Sequence, residues 1–299
     1  MEQPFVFVHI TDIHLQRRSA ESSYSYFRHF VKDILPVIQP SLVVNTGDIT
    51  QSQQLDLKEN LEHDEWVLSR NRYSSVLKEF GWFNQSKWLD VRGNHDAFVH
   101  YPEPHPYKLH MVYGVAGKSS VYSHTVTTSS GKLRFIGIDA NGPLFRHFNG
   151  FVTREMLDAL EHLFQSESYD AHLPSFPSLP TILFTHYPLF TMDLRARSSQ
   201  NHSLKDLIKQ HKPRFYLCGH MHSALGGMIT RQFDTIEAEL FDFKIAHQFR
   251  LYSYFRGELS FMTYNLNIDD KPIILIHSPT VSLPPFSHLG PSIPAEFPK

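Results

Sequence analysis

The first half of the chain alternates between apolar runs typical of buried strands and segments with helical spacing. Residues 5–10, 42–44 and 88–91 are near-continuous apolar runs, as expected for strands that are covered on both faces. Between them, hydrophobic residues recur every three or four positions over residues 27–38 and 73–80. The order strand, helix, strand, helix, strand predicts a parallel sheet with right-handed crossovers.

From residue 119 the pattern changes to short alternating strands joined by turns, which is typical of hairpins. A parallel half followed by a hairpin-rich half predicts an α/β fold, classed as α+β by some schemes. We expect a four-layer αββα sandwich, in which two mixed β-sheets are flanked by helices. Residues 1–278 are predicted to form this domain, and residues 279–299 a proline-rich tail that is a truncated continuation.

Composition excludes several classes of protein. The 299 residues are 41% hydrophobic, which is enough for a full core. A net charge of -2, without a basic run, gives no reason to expect a nucleic-acid partner. The single cysteine, Cys218, excludes an internal disulfide and a thiolate-rich metal site. No apolar run reaches about 18 residues, so this segment is expected to be soluble and to need no membrane contact.

Residue types that bind metals stand just past five of the apolar runs. They are Asp12, His14, Asp48, Asn94, His186, His220 and His222. Each occurrence alone is weak, because a histidine beside a strand is more often a packed core residue and Gly-Asp is a common turn pair. The ordered set is informative, and we expect it to meet at one edge of a sheet. Oxygen and imidazole ligands suit Mn, Fe or Zn.

A centre of two such ions has a definite chemistry. Two cations roughly 3.5–4 Å apart clamp the attacking and leaving oxygens of a displacement at phosphorus, and bound water has its pKa lowered to about 7. Metal-bound hydroxide is then the expected nucleophile. Asp12 and His14 are two residues apart, so a strand would turn both to one side. The two oxygens of Asp48 can bridge the ions, and His95 is the catalytic candidate that protonates the leaving oxygen or offsets its charge.

Two neighbours of His95 have open interpretations. Asp96 could orient His95, but hydrogen bonds to the backbone of the turn are favoured. Arg92 could contact a substrate phosphate, but an exposed arginine in contact with solvent is favoured.

Five short blocks resemble those of a known family. They are Asp12-Ile13-His14, Gly47-Asp48, Gly93-Asn94-His95-Asp96, Thr185-His186 and Gly219-His220-Met221-His222. In this order they resemble the calcineurin-like metallophosphoesterase superfamily. The resemblance implies one metal on Asp12, His14 and His222. It implies a second metal on Asn94, His186 and His220, with Asp48 as the bridge and His95 as the acid or charge-neutralising group.

Residues 87–92 and 97–98 resemble a narrower group, that of transmembrane protein 62. Members of this group carry a phosphoesterase domain followed by a further domain and membrane helices. The resemblance implies that this chain is either the soluble part of a longer, membrane-associated protein or a soluble relative of such a protein. It supplies neither the compartment nor the substrate.

These observations predict a hydrolase, a phosphatase or phosphodiesterase, whose substrate is a phosphate monoester or diester. The alternative is a catalytically silent module of the same fold that binds or scaffolds partners within a membrane protein. Specificity is expected in loops 51–60, 97–118 and 187–202, because they leave the strand ends that carry the ligands.

Overall fold

The computed structural model of the protein describes residues 3–15, 20–51, 71–97, 120–141, 149–166, 179–222, 227–266 and 274–276. Within these residues the strands form two mixed six-stranded sheets and one two-stranded sheet. The predicted tail 279–299 lies outside the described residues, so the boundary of the domain at residue 278 stays a prediction.

Sheet I contains the three strands predicted in the first half. Its strands, in spatial order, are β14 (Ile274–Ile276), β13 (Glu258–Asn265), β12 (Gln248–Phe255), β1 (Phe5–Ile10), β2 (Leu42–Asn45) and β3 (Trp88–Asp90). The strands β1, β2 and β3 are parallel, which confirms the predicted parallel pairing. The strand β12 lies antiparallel beside β1, so the hairpins of the second half complete the sheet.

Sheet II comes entirely from the part of the chain after residue 119. Its strands, in spatial order, are β10 (Ile229–Gln232), β11 (Thr235–Glu239), β9 (Phe215–Cys218), β7 (Thr181–Phe184), β5 (Gly131–Ile138) and β4 (Val121–Thr128). The four central strands are parallel, whereas β10 and β4 are antiparallel to their neighbours. The two-stranded sheet pairs β6 (Gly150–Phe151) with β8 (Met192–Asp193).

Helices cover the outer faces of both sheets. The elements are α1 (Ala20–His29), which runs through a π-helical turn (Phe30–Ile34) into α2 (Leu35–Ile38), then α3 (71–79), α4 (Asn94–Ala97), α5 (Arg154–Ser166) and α6 (Leu204–His211). The side chains of α1 to α3 pack on sheet I through residues such as Phe27 and Val76. Those of α5 and α6 pack on sheet II through residues such as Leu157 and Leu207.

The inner faces of the two sheets share one apolar core. Phe7 of β1 meets Phe135 of β5 edge to face, with ring centroids 5.1 Å apart, and stacks on Tyr252 of β12 at 4.6 Å. Together with the outer helices this gives the predicted four layers. Among the described residues, no helix is long and apolar enough to cross a lipid bilayer.

A buried tyrosine ties α3 to the strands β2 and β3. Tyr73 is 1% exposed, and its hydroxyl accepts from Trp88 Nε1 at 2.6 Å and from Asn45 Nδ2 at 3.2 Å. The same hydroxyl donates to Asp90 Oδ2 at 3.1 Å. Asn45 and Asp90 end the strands that lead to Asp48 and Asn94. This hydrogen-bond hub therefore lies directly behind two of the predicted site residues.

The variant Tyr73→Phe keeps the ring but leaves the Trp88 indole N–H and the Asn45 amide without their acceptor. Each unsatisfied buried group costs about 1–3 kcal/mol, so we expect the free energy of unfolding to fall by at least ~2 kcal/mol. Urea denaturation followed by circular dichroism measures the change. The matched control is Tyr264→Phe, at a partly exposed ring that stacks on Phe249. Equal losses in the two variants would contradict the role of the Tyr73 hydroxyl.

Candidate metal centre

The loops after β1 and β2 hydrogen-bond to each other along their backbones. The N–H of Asp12 donates to the carbonyl of Gly47 at 2.9 Å, and that of His14 to the carbonyl of Asp48 at 2.9 Å. Asp12, His14 and Asp48 have φ values of 52°, 49° and 51°, which residues other than glycine rarely adopt. The expected reason for Asp12 and His14 facing one side was therefore wrong. The strand ends at Ile10, so the alternation of side chains along a strand does not apply to Asp12 and His14. Their left-handed backbone conformation sets the direction of both side chains instead.

Two glycines allow these loops to meet their neighbours. A Cβ atom on Gly93 would overlap the carboxylate of Asp48, and one on Gly219 would overlap the side chains of Thr11 and Asp12. Both glycines thus lie where backbone passes against a site carboxylate. Glycine stands beside the candidate ligands in these sequence motifs because a residue with a side chain would keep the loops of the centre apart.

Four side chains form a first cluster. Asp12 Oδ1 lies 3.1 Å from His222 Nε2 and 3.5 Å from His14 Nε2. The two Nε2 atoms of His14 and His222 are 3.2 Å apart, and His14 Nε2 is 3.6 Å from Asp48 Oδ2. One ligand-type atom from each of the four residues lies within 4.8 Å of every other.

Three side chains form a second cluster on the other side of Asp48. Asn94 Oδ1 lies 3.0 Å from His186 Nε2 and 2.8 Å from His220 Nδ1. The two ring nitrogens are themselves 3.2 Å apart. His186 Nε2 is also 3.3 Å from Asp48 Oδ2. The same oxygen of Asp48 therefore lies beside both clusters.

His95 lies beside Asp48 and is partly exposed. Its backbone N–H donates to Asp48 Oδ1 at 2.8 Å, and its Nε2 lies 3.9 Å from Asp48 Oδ2. Its ring centroid is 4.8 Å from that of His14, and its side chain is 20% exposed, against 2% for His14. The structure thus brings all eight predicted residues together. Their roles as ligands and as catalyst are taken up below as proposals.

Asp96 holds the backbone of two loops and does not orient the His95 ring. Its carboxylate is buried and accepts the backbone N–H groups of Ile49 at 3.2 Å, Thr50 at 3.0 Å and Gly93 at 3.0 Å. The favoured interpretation of Asp96 is confirmed. Its bonds join the loop that carries Asp48 to the loop that carries Asn94.

The expectation of an exposed Arg92 was wrong. The side chain is 16% exposed, and Nε donates to Asp139 Oδ2 at 2.6 Å. Asn141 Nδ2 donates to the Arg92 carbonyl and to Asp139 Oδ1, both at 2.9 Å. The Oδ1 atom of Asn141 accepts from the Tyr187 hydroxyl at 2.7 Å. Sequence reasoning missed Asp139 and Asn141. They follow the strand β5 just as the predicted residues follow their strands, and that signal was available.

Two histidines of the clusters are oriented from behind. His186 Nδ1 donates to the carbonyl of Thr46 at 3.0 Å, and His222 Nδ1 donates to Asp242 Oδ2 at 2.7 Å. Carbonyl and carboxylate oxygens only accept, so Nδ1 carries a proton in both rings and Nε2 faces the centre. Asp242 was missed as well, because nothing in its local sequence marks it.

The electrostatics of the centre favour positive charge. Burial works against the charged form of Asp48, yet the neighbouring His186 and His95 hold its pKa below the usual range. Burial likewise lowers the pKa of His186, but the Asp48 carboxylate outweighs this effect and raises it to about 9. For His222, Asp12 and Asp242 outweigh burial and raise the pKa to about 10. The carboxylates stay charged and draw protons onto the rings.

The donor set fits a metal ion. In each cluster two imidazole nitrogens face each other at 3.2 Å, an arrangement that a cation between their lone pairs satisfies. Carboxylate, amide and imidazole ligands suit divalent transition metals. Asp12, His14, Asp48 and His222 are therefore a candidate metal-binding group.

Comparison with known proteins agrees with this geometry. The sequence model of the calcineurin-like phosphoesterase family matches residues 5–224. A protein of Arabidopsis thaliana that carries the name of a metallophosphoesterase is 34% identical over 236 residues, which cover 75% of this chain and 30% of that protein. Transmembrane protein 62 of Mus musculus is 28% identical over 280 residues, which cover 90% of this chain and 40% of that protein. The chain spans less than half the length of either relative.

Among solved structures, GAP50 of Plasmodium, described as the anchor in the inner membrane complex, superposes with a TM-score of 0.52. The superposition covers 95% of this chain and 90% of that chain at 13% identity, and so supports the fold alone. The extent of the family match and the identity to the Arabidopsis protein confirm the predicted resemblance. The chain belongs to the calcineurin-like phosphoesterase family.

Proposed function

We propose that the protein is a metal-dependent phosphoesterase that hydrolyses a phosphate monoester or diester at a centre of two metal ions. One observation carries the proposal. Asp48 Oδ2 lies 3.6 Å from His14 Nε2 in the first cluster and 3.3 Å from His186 Nε2 in the second. A carboxylate between two sets of ligand-type atoms suits a bridge between two cations. Family membership supports the reaction class.

The residues divide between two subsites. Subsite 1 consists of Asp12, His14 and His222, subsite 2 consists of Asn94, His186 and His220, and Asp48 belongs to both. Mn, Fe or Zn fits these ligands. When bound, such ions polarise a phosphoryl oxygen and lower the pKa of water to about 7.

His95 is the group of the chain that would act on the substrate. Its ring lies beside the shared carboxylate yet remains partly exposed, so it can reach the leaving oxygen of a substrate that binds from solvent. There it would deliver a proton or offset the developing charge. Asp96 holds the turn on which His95 stands through Gly93 N–H.

Substrate choice is assigned to the loops around the centre. Of the three predicted loops, 187–202 is described, whereas 52–60 and 98–118 lie outside the described residues. Phe190 is 59% exposed on the described loop, while Tyr187 is buried against the ligand histidines. The likeness to transmembrane protein 62 supports a membrane-associated full-length protein, of which this chain is one part.

The variant His95→Gln separates an enzyme from a silent scaffold. We expect kcat for an aryl phosphate ester to fall about 10²- to 10⁴-fold while metal content is unchanged, because His95 is a proton donor and not a ligand. Metal analysis and steady-state kinetics with added Mn measure the two properties. The control is His162→Gln, an exposed histidine on α5. Wild-type protein that holds two ions and hydrolyses no monoester or diester would instead favour the scaffold.

Metal binding should release protons. The pKa values of His186, about 9, and His222, about 10, mean that both rings are protonated at neutral pH without metal. A cation must displace these protons, so the apparent affinity for Mn should rise as pH increases from about 6.5 to 8. Titration calorimetry in buffers of different ionisation enthalpy counts the released protons. An affinity that does not change over this range, without proton release, would contradict the protonation of these two rings in the metal-free protein.

A further inference from the structure

Asp242 lies in the turn between β11 and β12, beyond the residues that the family model matches. It is 1% exposed, and its Oδ2 accepts from His222 Nδ1 at 2.7 Å. Its Oδ1 accepts the backbone N–H groups of Ile245 at 2.7 Å and Ala246 at 3.1 Å. Both oxygens are engaged, so the carboxylate has a fixed orientation toward the ring.

The backbone of the same turn is bonded to the loops of the candidate centre. The N–H of Phe243 donates to the Thr11 carbonyl and that of Lys244 to the Asp12 carbonyl, both at 3.1 Å. The N–H of Leu240 donates to the Cys218 carbonyl at 2.9 Å, two residues before His220. The turn therefore fixes Asp242 with respect to Asp12 as well as to His222.

We propose that Asp242 is a positioning residue that holds His222 with Nε2 toward the centre and makes subsite 1 the tighter of the two metal subsites. The inference rests on the proposed two-ion function. A carboxylate behind a ligand imidazole fixes its tautomer and increases its basicity. In subsite 2 the corresponding partner of His186 is the neutral carbonyl of Thr46. His14 Nδ1 has no hydrogen-bond partner among the described residues.

The charges of the two subsites point the same way. Subsite 1 has the carboxylate of Asp12 as a direct ligand and that of Asp242 behind a ligand. None of the proposed ligands of subsite 2, Asn94, His186 and His220, carries a negative charge, and the nearby Asp96 carboxylate accepts three backbone N–H groups. Asp48 is shared and does not distinguish them. A cation entering the empty centre therefore meets more negative charge in subsite 1, and the first ion should bind there.

The test compares wild type with Asp242→Asn, which removes the charge at almost constant volume. Calorimetric titration with Mn, combined with metal analysis, should show two unequal steps in wild type. In the variant we expect the tighter step to weaken about 10- to 100-fold and the weaker step to change by less than about threefold. Circular dichroism and thermal unfolding of the metal-free proteins report whether the variant folds.

A second pair of a histidine and a buried carboxylate supplies the matched control. Glu161 is 3% exposed, and its Oε1 accepts from His202 Nδ1 at 2.7 Å, outside either cluster. Glu161→Gln makes the same chemical change there and should leave both binding steps unchanged. A similar loss of Mn affinity in both variants would attribute the effect to general destabilisation and overturn the inference.

The possible failures can be told apart. Wild type that binds no Mn would overturn the two-ion function and this inference together. Wild type with two steps, matched by the same two steps in Asp242→Asn, would overturn only the role of Asp242.

A measurement on wild type alone covers the case in which Asp242→Asn does not fold. In zinc-loaded protein with ¹⁵N-labelled histidine, His222 should carry its proton on Nδ1 and bind metal through Nε2. The resonance is assigned by its absence from His222→Asn. A proton on Nε2 of His222 would overturn the inference.

Discussion

Each cluster of the candidate centre takes side chains from both sheets. In the first, Asp12 and His14 follow a strand of sheet I and His222 follows a strand of sheet II. In the second, Asn94 follows sheet I, whereas His186 follows sheet II. Cations at these positions would hold the ends of the two sheets together. Because a ligand that binds only the folded state stabilises it, metal occupancy and sheet packing are thermodynamically linked.

The buried carboxylates of the centre need partners that compensate their charge. Asp12 and Asp48 are each 1% exposed, and isolated carboxylates at that burial would be costly. Hydrogen bonds and nearby imidazoles offset this cost. Asp12 Oδ2 accepts from the Thr11 hydroxyl and the His220 N–H, and Asp48 Oδ1 accepts from the His95 N–H. Five residues of the centre have positive φ values, which is typical of strain held at a functional site: Asp12, His14, Asp48, His220 and His222.

Much of the fold could be predicted because it depends on local periodicity. The apolar runs gave β1, β2 and β3, and the change to hairpins gave the mixed character of both sheets. The candidate site could be predicted for the same reason, because local periodicity marks the strand ends at which the metal-binding residue types stand. The place of Asp139 after a strand was a usable signal, but its pairing with Arg92 and that of Asp242 with His222 could not be predicted, because the partners lie 47 and 20 residues apart along the chain. Such contacts depend on the path of loops, which a pattern of residues does not specify.

The position of Asp242 shows why the region beyond the family match belongs to the centre. The strand β11 is in sheet II and β12 is in sheet I, so the turn between them is where the chain passes from one sheet to the other. That turn is bonded to Thr11 and Asp12 and to Cys218 of β9. A change in the relative position of the sheets would therefore move the Asp242 carboxylate and the His222 ring together. The geometry of subsite 1 is tied to the packing of the sandwich, whereas the orientation of His186 depends on Thr46, at the end of a single strand.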